Sequence, residues 1–113
     1  MGGRASGYAD EVAQAVQVDG NSRFRVVAGS RRSQAAEMAL PAGGSTGGPE
    51  NRHPDSDQWV LVLSGTGMAI VDSEEHDLRP GTLLLIEAGE AHELQSGPDE
   101  PLATLNIYAP PEY

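Results

Sequence analysis

Apolar residues in this chain come in short runs broken by glycine, proline and acidic residues. The segments Phe24 to Ala28, Gln58 to Leu63, Gly67 to Val71, Thr82 to Glu87, His92 to Gln95 and Leu102 to Tyr108 have the length and the β-branched or leucine content of strands. Ser33 to Leu40 reads as a further strand, although its alanines suit a helix as well. Turn signals lie between them: Asp19-Gly20-Asn21, Ser64-Gly65-Thr66-Gly67, Asp72-Ser73-Glu74-Glu75, Arg79-Pro80-Gly81, Ala88-Gly89-Glu90 and Ser96-Gly97-Pro98-Asp99. His76 falls in the acidic turn read from Ser73 to Asp77 and receives no role. Pro41 to Pro49 is too rich in Gly and Pro for regular structure. Short strands at this spacing with no helix between them predict an all-β antiparallel sandwich or barrel. Pro110 and Pro111 cannot donate to a ladder, so the last strand ends before them.

Ahead of the strands, residues 9 to 17 carry Val12, Ala13 and Val16 at helical spacing with acids in the first turn, which predicts a short amphipathic helix. Too short to stand alone, it needs something to pack on. The expected organisation is an N-terminal arm over residues 1–21 and one barrel domain over residues 22–113. At 113 residues a second domain does not fit.

Composition narrows the class. No window approaches the ~18 consecutive apolar residues of a membrane helix, the opening residues lack a secretory apolar run, and there is no cysteine for disulfide or thiolate chemistry. The expectation is a soluble cytoplasmic protein. Net charge is −10, and it is unevenly spread: residues 1–32 hold three acids against five Arg, whereas the rest hold 14 acids against Arg52 and Arg79. A domain so acidic repels phosphate backbones, which argues against nucleic acid as a partner.

Candidate chemistry rests on His53, twelve residues before Gly65, and His92, eleven after Gly81. In these two segments the sequence resembles the cupin superfamily, over roughly residues 33 to 113. The superfamily's first motif is G-x5-H-x-H-x3-4-E-x6-G and its second G-x5-P-x-G-x2-H-x3-N. Counting back from Gly65 puts Gln58 at the Glu position, His53 at the second His and Asn51 at the first; counting on from Gly81 puts His92 at the remaining His. Glu87 stands where the pattern has Pro, and Ser96 where it has Asn. The resemblance implies a double-stranded antiparallel β-helix, or jelly-roll barrel, with a mononuclear metal centre. By that resemblance His53, His92, Gln58 and Asn51 are the candidate metal ligands, and Fe, Mn, Ni, Cu or Zn the candidate divalent ions.

Gln58 and Asn51 offer neutral amide oxygens where imidazole and carboxylate are expected, and loss of the anionic ligand weakens a dication's hold. Asp55, Asp57, Glu87 and Glu90 are near enough in sequence to compensate, although Asp55 and Asp57 read as loop residues and Glu87 as a rim residue. A metal-free arrangement is equally open, with both imidazoles hydrogen-bonded to Asn51 and Gln58. If Gln58 points into the barrel, Val60 and Val62 do too, while Trp59, Leu61 and Leu63 face outward. That outward row needs a cover, and a homodimer is expected. Val60, Val62, Met68, Ile70 and Leu94 are expected inside, with Met38, Leu40 and Asn106 near the pocket.

Two functions follow as expectations. One is a single-domain cupin with a partly degenerate site that binds a divalent metal, a small organic molecule, or both. The other is a metal-dependent enzyme of dioxygenase, isomerase or cyclase type on a small organic substrate. A structural dimer without ligand explains the retained histidines least well.

Overall fold

The computed structural model describes residues 13–48 and 50–113. Its elements are β1 (Phe24–Gly29), β2 (Gln34–Leu40), β3 (Asp57–Ser64), β4 (Gly67–Val71), β5 (Glu74–Leu78), β6 (Leu83–Ile86), β7 (His92–Ser96) and β8 (Leu102–Ala109). They form a five-stranded antiparallel sheet in the order β1-β2-β8-β3-β6 and a three-stranded one in the order β5-β4-β7. Leu40, Val60, Val62, Ile86 and Leu102 from the first sheet and Ala69, Val71, Leu78 and Leu94 from the second form one core cluster. The two sheets therefore bury their inner faces against each other, and apolar area removed from water holds the sandwich together.

Alternation places Gln58, Val60 and Val62 inside and Trp59 and Leu63 outside, as read from the sequence. In β4 the reading was inverted. Met68 and Ile70 are only half-buried, and Ala69 and Val71 face the core, because Val71 pairs with His92 and Ala69 with Leu94 across β7. A run in which every residue is apolar carries no parity of its own, so only pairing settles it.

Two further expectations are corrected. Glu74 to Leu78 is a strand, where a turn was expected. Asp72 (φ 45°) and Ser73 (φ 72°) form a two-residue connection between paired Val71 and Glu74, the backbone that a primed hairpin turn requires. Only Leu78 of β5 reaches the core, so the strand has no apolar run to announce it.

Residues 13–17 are not helical, and residues 9–12 of the expected helix lie outside the described residues. Gln14 instead grips β1: its Nε2 donates to the Gly29 carbonyl at 2.8 Å and its Oε1 accepts from the Gly29 N–H at 3.2 Å. Arg25 Nη2 also donates to the Gln17 carbonyl at 3.3 Å. Bonds to a strand edge replace the internal ladder that so short a helix could not sustain.

From there the arm crosses the outer face of the large sheet, with Gly20 seated over Ala103. It leaves Trp59, Leu63, Leu83 and Leu85 exposed, Trp59 opposite Leu85. Among the described residues no helix is long and apolar enough to cross a membrane.

Candidate functional site

Residues 43–48 and 50–51, too Gly- and Pro-rich for a strand, still lie antiparallel along the free edge of β7. The Ser96 N–H donates to the Gly44 carbonyl (2.8 Å), the Thr46 N–H to Leu94 (3.0 Å) and the His92 N–H to Asn51 (2.8 Å). This run covers the sheet edge and brings His53 opposite His92. The Gly89 N–H donates to the His53 carbonyl at 2.9 Å, and Arg52 Nη1 to the Gly89 carbonyl at 2.9 Å, so the loop before β3 and the loop before β7 hold each other. The two imidazole centroids are 5.0 Å apart.

Residues 110–113 turn back over the same place. Gln34 fixes them: its Oε1 accepts from the Glu112 N–H (3.2 Å) and the Tyr113 N–H (2.9 Å), and its Nε2 donates to the Tyr113 carbonyl (2.7 Å). This sets Glu112 Oε2 at 3.2 Å from His53 Nδ1. Tyr113 lies against Phe24 (4.8 Å between centroids) and Tyr108 (5.2 Å), and His53 against Tyr108 (5.5 Å). The result is a cavity of about 440 Å³ whose walls include His53, His92, Gln58, Asn51, Met38 and Tyr108. A larger hollow of about 690 Å³ around Thr66, Arg79 and Gln95 contains neither His53 nor His92, and lies at the other end of β4 from Val71 and its partner His92.

Burial holds the His92 imidazole below its ordinary pKa, outweighing the Glu90 carbonyl that accepts from Nδ1 at 3.2 Å. Because a carbonyl only accepts, Nδ1 carries the proton and Nε2 is the acceptor of the neutral ring. Burial likewise pushes the Tyr108 hydroxyl well above its ordinary range, with Tyr113 beside it adding to the effect.

Met38 lines the cavity as the sequence suggests, whereas Val60 and Val62 are in the core cluster away from it and Asn106 stands behind Gln58. Asn51 reaches the rim, but its side-chain Nδ2 donates to the Thr46 carbonyl at 3.1 Å. The expected imidazole–amide pairing does not form. Gln58 bonds Asn106, and the imidazoles turn to Glu90 and Glu112. Asp57 and Glu90 cap the loop before His92, accepting from the Ala88 N–H (2.9 Å) and the Glu87 N–H (2.7 Å), and Asp55 is exposed. None of these carboxylates joins the histidines.

Among the described residues no three His, Cys, Asp or Glu side chains are grouped to hold an ion. Two imidazoles and a neutral amide, with the Glu112 carboxylate turned to His53 Nδ1 and not grouped with both histidines, do not fit a tightly held dication. Phe24, Tyr108, Glu112 and Tyr113 were not singled out from sequence. Tyr108 shares the inner face of β8 with Asn106, so strand parity could have found it. Phe24 is set opposite Met38 by the pairing of β1 with β2, and Glu112 and Tyr113 arrive by chain reversal, which leaves no periodic signal.

Comparison with known proteins agrees with this architecture. The family model described as Cupin domain matches residues 36–108. The HTH-type transcriptional activator RhaS of Mannheimia succiniciproducens is 37% identical over 59 residues, 52% of this chain and 22% of that protein, so the chain spans about a fifth of that relative's length. A Bacillus halodurans protein of known structure superposes with a TM-score of 0.76 at 25% identity, covering 82% of this chain and 75% of its own. A Thermus thermophilus protein gives 0.69 at 28% identity, covering 77% and 81%. KdgF from Halomonas sp. gives 0.72 at 19% identity over 78% and 77%, a likeness of fold alone.

Proposed function

This chain belongs to the cupin domain family, and from that membership and the pocket's side chains we propose that it is a binding module that takes up a small organic molecule beside His53, His92 and Gln58. The cavity itself carries the reading. Its volume of about 440 Å³ suits a small metabolite, and its walls combine apolar Phe24, Met38, Leu40 and Leu94 with a few convergent polar groups. A resident metal is not needed to explain any side chain in it, and the donors present are poor for one. That a transcriptional activator matches over 22% of its own length supports a module that binds within a longer protein.

We further propose that a second copy of the chain covers Trp59, Leu63, Leu83 and Leu85. The arm already shields β2 and β8 on that face, which leaves β3 and β6 as an exposed apolar remainder.

The test is a small-molecule screen read by the His53 and His92 imidazole NMR signals, with metal analysis of untagged protein alongside. Compounds that shift both signals support the reading. It is overturned if no compound does, or if one equivalent of Fe, Mn, Ni, Cu or Zn copurifies and is lost in His92→Ala.

A further inference from the structure

The orientation of one buried amide defines what the pocket lacks. Asn106 is fully buried, and its Nδ2 donates to the Ala36 carbonyl (3.3 Å) and to Thr104 Oγ1 (3.1 Å). A carbonyl accepts only, so the Asn106 amide cannot be turned round, and its Oδ1 must face Gln58. Gln58 answers with Nε2 at 3.3 Å, which fixes the second amide in turn. Gln58 Oε1 is then left as a buried acceptor with no partner in the protein, on a residue only 4% exposed that lines the cavity. An unmatched buried acceptor is costly, and a molecule that donates to it removes the cost.

The rim makes a different demand. Arg23 and Arg52 both border the cavity, and among the described residues neither has a carboxylate partner; Arg52 spends one N–H on the Gly89 carbonyl. In a chain with 17 acids and seven basic residues, two guanidinium groups at one opening with no carboxylate partner among the described residues are unexpected. They favour a carboxylate or phosphate.

Resting on the binding reading above, we propose that the ligand is a small hydroxylated organic anion. Its acidic group meets Arg23 and Arg52 at the rim, and a hydroxyl donates to Gln58 Oε1 inside.

Calorimetric titration of the unaltered protein with four probes decides this: D-gluconate, sorbitol as the uncharged polyol, hexanoate as the anion without hydroxyls, and sorbitol 6-phosphate. Gluconate or the phosphate should bind about tenfold or more tightly than sorbitol or hexanoate, roughly what a hydrogen bond to a buried acceptor or to a charged group supplies. Which of the two binds better identifies the acid as carboxylate or phosphate. Gln58→Leu should remove the advantage over hexanoate, and Arg23→Ala with Arg52→Ala the advantage over sorbitol. Should Gln58→Leu fail to fold, the probe series on the unaltered protein still decides. The inference is overturned, and the binding reading left intact, if neither gluconate nor sorbitol 6-phosphate binds more tightly than hexanoate, or neither more tightly than sorbitol. Failure of all four to bind also overturns it, and the binding reading falls as well only if the wider screen is empty.

Discussion

Arg25 Nε lies 2.7 Å from Glu37 Oε2, joining β1 to β2 on the outer face of the large sheet beneath the N-terminal arm. The Glu37 side chain has no exposed surface, and its other oxygen accepts from the Asp19 N–H (3.0 Å) and the Gly20 N–H (3.3 Å). One carboxylate thus clamps the arm to the barrel.

The first prediction follows from that clamp. The Arg25 hydrogen bond, with help from the Gly20 N–H, lowers the Glu37 pKa from its ordinary 4.5 to about 2. A carboxyl whose folded pKa is depressed stabilises the fold fully above its unfolded value and loses that contribution as pH falls toward the folded one. Stability should therefore decline between pH 4.5 and about 2. In Glu37→Gln this slope should flatten and the melting temperature at neutral pH should fall by several degrees. Thermal melts followed by circular dichroism across that range check both.

His92 gives a second pH dependence, also lost on acidification. Burial lowers its folded pKa, so the folded protein resists the proton that the unfolded chain accepts near pH 6.5. Stability contributed by neutral His92 is complete above that value and decays as pH falls toward the lower folded pKa. NMR titration should place the His92 midpoint below that of an unfolded control, and His92→Gln should flatten the melting profile in that window. A midpoint at or above the control contradicts the burial seen here.

Two glycines with similar dihedrals should respond differently to substitution. Gly65 (φ +83°) and Gly81 (φ +91°) both occupy the left-handed region, where alanine costs about 1–2 kcal/mol. A Cβ at Gly81 meets nothing, whereas one at Gly65 runs into the Pro101 carbonyl oxygen. Gly81→Ala should thus lose about that amount in urea denaturation, and Gly65→Ala clearly more, to the point of poor folding.

The outer apolar row predicts association. Trp59 is 41% exposed and Leu83 60%. Light scattering at micromolar concentration should report a dimer for the unaltered chain and a monomer for Trp59→Glu, with the histidine NMR signals unchanged. A monomeric unaltered chain would leave this face without the second copy proposed for it.

By itself the sequence determined the strand-rich class, most strand positions, and the inward set Gln58, Val60 and Val62, because period-two alternation and turn residues act locally. Its resemblance to the two cupin motifs also brought His53 and His92 into one frame. Only the tertiary structure decided what surrounds them. The inner face of β4 depended on pairing with β7, and β5 depended on a hairpin turn, since neither segment alternates. Glu112 and Tyr113 reach the pocket because Gln34 ties down a reversed segment, a contact between residues 79 apart in the chain. The direction of the Gln58 amide depends on Asn106, and that of Asn106 on the Ala36 carbonyl. Such a hydrogen-bond relay across three strands has no local signature, and it is what leaves Gln58 Oε1 as the unpaired acceptor of the pocket.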